Sequence, residues 1–133
     1  ESRYTLNGAL MVLKPESITM VATDGHRLAH VERAGEKFEG VSGELKTLIP
    51  KKAMDELRSL VDAADDVETI EFAKDESTLF FRIGPRLLTS RQLTGQFPNY
   101  EAVLPKDNSK SIALHGEDLA AAISRVAEGE IVE

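Results

Sequence analysis

The chain has 133 residues, 41% of them apolar and 29% charged, with a formal net charge of −7 at pH 7. That is one domain's worth of ordinary globular composition, long enough for a real core. It has no cysteine, which excludes a disulfide framework and a thiolate metal site and fits a reducing cytosol, and no apolar run approaches the roughly 18 residues of a membrane span.

The acidic total argues against a free-standing nucleic-acid binder, which is usually basic over its whole surface. It leaves room for a local positive face, because Lys46, Lys51, Lys52 and Arg58 lie close together while acidic residues crowd into Asp62–Glu76 and the C-terminal end. The chain opens Glu1-Ser2-Arg3-Tyr4, without Met and without a visible signal peptide, and is expected to be a fragment.

Tyr4–Leu13 predicts a strand, with Tyr4, Leu6, Leu10 and Val12 on one parity. Asn7-Gly8 interrupts it as a bulge or a close backbone approach. Lys14–Ser17 is turn-like. Ile18–Thr23 and Arg27–Arg33 then form a hairpin about Asp24-Gly25, since Gly tolerates positive φ and Asp bonds back to the backbone. Ala34–Gly43 holds three glycines and reads as a loop, and Leu45–Ile49 as a short strand ended by Pro50.

From Lys51 the period changes. Ala53, Met54, Leu57, Leu60 and Val61 share one face of a helix, with Pro50 where a helix start tolerates it. Strands are predicted at Val67–Ala73, Thr78–Ile83 and Leu87–Leu93, parted by the turns Lys74–Ser77 and Gly84–Arg86. A short strand at Ser111–Leu114 precedes a second helix carrying Leu119, Ala120, Ile123, Val126 and Ala127, and Gly129 ends it. The strand-then-helix order of Lys46–Val61 recurs 65 residues later, either as a unit used twice or as two unrelated amphipathic helices.

Little in this chain demands catalysis. No serine occupies a glycine-flanked elbow, and no Gly-rich loop opens a helix to cradle phosphate. The paired carboxylates Asp65-Asp66 and Asp75-Glu76 lie in polar turns. Asp24, His26 and His30 are the one candidate metal set, the basis of an alternative reading as a small metal-dependent hydrolase, but the third ligand would sit in the turn itself. Lys51 and Lys52 stand at a helix N-terminus, which together with its N–H groups favours an anion such as a DNA phosphate; a plain solvated face explains them equally well.

Four stretches, Arg3–Gly8, Val21–Leu28, Ile49–Lys52 and Phe97–Pro105, taken in this order and spacing, resemble the bacterial sliding clamp, the β subunit of DNA polymerase III. The resemblance covers the central clamp domain over residues 1–108, without its first helix, while residues 109–133 resemble the opening strand and helix of the third. It implies an α+β DNA-clamp fold, an antiparallel β-sheet with helices packed on one face. It further implies a cytoplasmic processivity factor without catalytic activity or cofactor, two subunits of which join head to tail around duplex DNA. Replicative and other polymerases and the clamp loader would dock short linear peptides in an apolar pocket. Its wall in this chain would be Leu6, Thr23, Gly25, His26, Arg27, Leu28, Pro98 and Val103, and the DNA-facing residues Arg3, Tyr4, Lys51 and Lys52. Since the helix before Arg3 is missing, helix Glu117–Ala127 is expected to cover the sheet in its place, beside helix Lys51–Val61, within the chain or from a swapped neighbour, burying Leu119 and Ile123.

Overall fold

The computed structural model describes residues 7–35 and 37–128. The chain divides into two compact units, Glu1–Tyr100 and Glu101–Glu133. The first holds β1 (Gly8–Lys14), β2 (Ser17–Thr23), β3 (Leu28–Ala34), β4 (Leu45–Pro50), α1 (Lys51–Asp62), β5 (Glu71–Lys74), β6 (Thr78–Ile83) and β7 (Arg86–Arg91). The expected antiparallel α+β architecture is present, with the strands parted into two sheets, β3-β2-β1-β4 and β5-β6-β7.

β1 is paired on both edges and covered on both faces, so Ala9 to Leu13 are all buried. Its alternation sorts them into two clusters. Met11 and Leu13 join Ile49, Ala53, Leu79, Phe81 and Ile83 in the core between the sheets and α1. Leu10 and Val12 point the other way and join Val21 and Leu48. Gly8 is a close backbone approach: a Cβ there would overlap the Ile49 carbonyl oxygen and stand 2.6 Å from Leu93 Cδ1. At the same place the Leu93 N–H bonds to the Leu48 carbonyl at 3.0 Å, tying the segment after β7 to β4.

α1 follows β4 directly, with Pro50 (φ −60, ψ 146) as its N-cap and the Lys51 N–H donated to the Asn7 carbonyl at 3.1 Å. Ala53 is buried, and Met54, Leu57 and Leu60 pack against the core; large side chains gain about 1.5–3 kcal/mol each when fully buried, and these somewhat less. Val61, expected on that face, is 39% exposed. β6 occupies the predicted residues. β5 is shorter than Val67–Ala73: its ladder opens at Glu71 opposite Arg82, one pair before β6 ends at Ile83. Likewise β7 stops at Arg91, short of Leu93.

The second unit, which begins within a 3-10 turn at Tyr100–Ala102, contains α2 (Gly116–Ala127). Glu117 and Asp118 in its first turn and Arg125 in its last oppose the helix dipole favourably. Two expectations fail here. Ser111–Leu114 forms no strand, since among the described residues no chain segment pairs with it. Leu119 and Ile123 are 45% and 58% exposed, so the face expected to cover a sheet is not buried.

Candidate functional site

The β2–β3 connection is built from its own atoms. Thr23 pairs with Leu28 across the hairpin, leaving Asp24 to Arg27 as the loop. Asp24 Oδ1 accepts the N–H groups of His26 (2.9 Å) and Arg27 (3.0 Å), and its Oδ2 pairs with Arg27 Nε at 3.0 Å. The Thr23 hydroxyl donates to the Arg27 carbonyl at 2.7 Å and accepts the Gly25 N–H at 3.1 Å. Gly25 sits at φ 90, a conformation other residues reach only under strain. Bonds from His26 N–H first, then Arg27 N–H, hold the Asp24 carboxyl down to about 2. Gly25, His26 and Arg27 are exposed, Thr23 and Leu28 half-buried.

From this turn two surfaces lead away. On one face of the sheet, Leu28 packs against Leu10, Val12, Val21 and Leu48, and so do Leu93, Phe97 and Tyr100. The segment bearing Pro98 thus reaches the cluster that holds Leu28, through the residues on either side of it. His30, two residues after Leu28 and on the same strand face, sets its ring 5.8 Å from that of Tyr100 at 37°. On the other side a hollow of about 510 Å³ opens between the turn and α1, walled by Thr23, Asp24, Arg27 and Leu28 opposite Lys51, Met54 and Asp55. Lys51 therefore faces the turn across this hollow, though the resemblance assigned the two to separate surfaces. Pro98 does not line it.

Two basic residues of α1 are matched within the helix itself. Lys51 Nζ lies 2.7 Å from Asp55 Oδ2 and Arg58 Nε 3.9 Å from Asp62 Oδ2. Lys52 is exposed and, among the described residues, makes no ion pair. Leu6, Arg3 and Tyr4 lie outside the described residues, and Val103 belongs to the second unit, where it is exposed. The metal alternative loses its geometry. His26 lies in the turn rather than on β3, so strand parity does not bring it beside His30, and the Asp24 carboxylate is taken up by N–H groups and Arg27. Among the described residues no three His, Cys, Asp or Glu side chains are grouped to hold an ion.

The gathering of Phe97 and Tyr100 beside Leu28, with the His30 ring against Tyr100, is not among the sequence expectations. The parity of Leu28 and His30 was a usable signal for His30; nothing local marks Phe97 and Tyr100.

Residues 1–99 match the family model described as the DNA polymerase III beta subunit, central domain. The chain belongs to the β sliding-clamp family. It is 37% identical over 131 residues to the clamp of Caulobacter vibrioides, covering 96% of this chain and 34% of that protein. The clamp of Synechococcus elongatus is 31% identical over 127 residues, at 96% and 34% coverage. Among solved structures, a Caulobacter crescentus clamp superposes over 100% of this chain and 35% of its own, with a TM-score of 0.81 at 35% identity. A Pseudomonas aeruginosa clamp does so over 96% and 34%, with a TM-score of 0.81 at 30% identity. The chain thus spans about a third of the length of the sliding clamps it matches.

Proposed function

We propose that this chain is the central-domain part of a non-catalytic sliding clamp that docks short peptide motifs of polymerases and the clamp loader beside the β2–β3 turn. Two such subunits, complete and joined head to tail, encircle duplex DNA in the bacterial cytoplasm. The observation that carries the docking role is the meeting of Leu28 with Phe97 and Tyr100 on one buried cluster, from stretches far apart in sequence. Apolar side chains gathered beside a hydrogen-bonding turn suit a linear peptide, which offers a few greasy anchors and an extended backbone. Thr23, Gly25, His26, Arg27, Leu28 and Pro98, with Leu6 and Val103, form the proposed wall.

Arg3, Tyr4, Lys51 and Lys52 are the proposed DNA-facing residues. Contacts of this kind bind phosphate without reading sequence. With Lys51 already paired to Asp55, the fragment alone is expected to bind duplex DNA weakly, since encirclement rather than contact affinity holds a closed ring on DNA.

Titration with a synthetic peptide carrying Gln, Leu and Phe anchor residues tests the docking role, against Leu28→Asp and Pro98→Ala. Leu28→Asp is expected to weaken binding at least about tenfold, since a charge there is desolvated without a partner. Undiminished binding in both variants would remove the assignment.

A further inference from the structure

Among the described residues, the turn that presents Thr23 and Leu28 receives little support from outside itself. Gly25, His26 and Arg27 are exposed, and no atom of the described residues lies within 4 Å of the place where a Gly25 Cβ would be. Its shape depends on bonds among its own residues, and Asp24 is the hub. One oxygen fixes the backbone at His26 and Arg27, and the other holds the Arg27 guanidinium by Nε, leaving its terminal nitrogens directed elsewhere. The Arg27 side chain is 90% exposed, so no packing would replace that grip.

We infer that Asp24 is a positioning residue for peptide docking: it touches no peptide atom but holds the turn in the shape that sets Leu28 and Arg27 on the rim of the site. This rests on the peptide-docking reading above. The physical reason is preorganisation. A loop already fixed in its bound shape loses less conformational freedom when a partner arrives, so more of the contact energy appears as affinity. Asp24 supplies that order through the geometry of a short carboxylate, which accepts two N–H groups two and three residues onward. Charge at this place is secondary.

Two substitutions separate geometry from charge. In Asp24→Asn the side-chain oxygen still accepts both N–H groups, but the charge is gone and the amide nitrogen, a donor, cannot take the Arg27 Nε–H. In Asp24→Glu the charge stays and the longer side chain no longer fits the turn. Asp24→Ala removes both. Asp75, in the β5–β6 turn, accepts the N–H groups of Ser77 (2.9 Å) and Thr78 (2.8 Å) in the same way, and Asp75→Ala is the matched control for general loosening.

With the whole chain and the synthetic peptide, Asp24→Ala and Asp24→Glu are expected to raise Kd about tenfold, Asp24→Asn by no more than about threefold, and Asp75→Ala not at all. Amide hydrogen exchange at His26 and Arg27 should quicken in the Ala and Glu variants and stay slow in Asn. The inference falls if Asp24→Glu binds as the parent does, or if Asp24→Asn is as weak as Asp24→Ala. It also falls if Asp75→Ala weakens binding equally. Where Leu28→Asp abolishes binding while every Asp24 variant retains it, the positioning role is wrong and the docking site stands. Where Leu28→Asp and Pro98→Ala both bind like the parent, the docking site itself is wrong.

Discussion

Two hairpin turns in the first unit are built alike. Asp24 and Asp75 each open a loop whose flanking residues pair across it, Thr23 with Leu28 and Lys74 with Leu79. Each carboxylate accepts N–H groups two and three residues ahead, and each Asp N–H is donated to the carbonyl at the far end of the loop, Arg27 at 3.4 Å and Thr78 at 3.0 Å. The surroundings differ. Leu79 is 0% exposed in the core under α1, whereas Leu28 is half-buried at the edge of the second cluster. Equivalent positions in equivalent turns thus serve the fold in one case and a surface in the other. Local hydrogen bonding gives a turn its shape, and what stands behind the next side chain decides its use.

The largest effect should come from truncating those two leucines. Leu79→Ala is expected to cost about 2–5 kcal/mol, as large-to-small changes in a packed core do. Leu28→Ala should cost nearer about 1 kcal/mol, because part of its surface is already wet. Urea unfolding midpoints measure both, and peptide affinity should fall in folded Leu28→Ala. Equal destabilisation by the two would break the comparison.

A smaller effect should separate the second loop positions. Gly25 stands at φ 90, while no described residue other than glycine has positive φ, Glu76 included. Gly25→Ala is therefore expected to lose about 1 kcal/mol of stability through backbone strain. Glu76→Gly should cost no more than about 1 kcal/mol, through chain entropy alone. Thermal unfolding of both variants checks the difference in cause, since Gly25→Asn, which tolerates the left-handed region, should recover part of the first loss.

The smallest effect is electrostatic and common to both turns. Hydrogen bonds from His26 and Arg27 hold Asp24 at about 2, below the ordinary aspartate value of 3.8, and those from Ser77 and Thr78 lower Asp75 in the same direction. A depressed carboxyl contributes stability that is present above its unfolded value and lost as pH falls through its folded one. The contribution of Asp24 should thus fade between about pH 4 and about 2. Urea midpoints across that window should slope less in Asp24→Asn and in Asp75→Asn than in the parent, and an unchanged slope would contradict the assigned cause.

How far the sequence speaks for itself varies with the range of the forces involved. β6 is legible to the residue because Leu79, Phe81 and Ile83 alternate without interruption and Asp75 and Gly84 bracket them. The Asp24-Gly25 hairpin and the close approach at Gly8 are legible for the same reason, since each depends on the chemistry of one or two neighbours. β5 is not, because its length is fixed by its partner rather than by its own run of residues. Ser111–Leu114 has strand-like residues and no partner, so propensity alone misleads there. In the candidate site, Thr23 to Leu28 form one local object, legible as a hairpin from Asp24-Gly25. The approach of Phe97 and Tyr100 to Leu28, and the ring pair with His30, come from a chain that returns after four further strands and α1. Only resemblance to the clamp family linked those stretches in advance.

The central claim is that the first turn, and not its structural twin, receives partner peptides. Titrating the isotopically labelled chain with the synthetic peptide and following its backbone amide shifts tests this most directly. The expected result is movement at Thr23 to Leu28 and at Phe97 to Tyr100, with Asp75 to Leu79 still. Movement at Asp75 to Leu79 with Thr23 to Leu28 silent would contradict it.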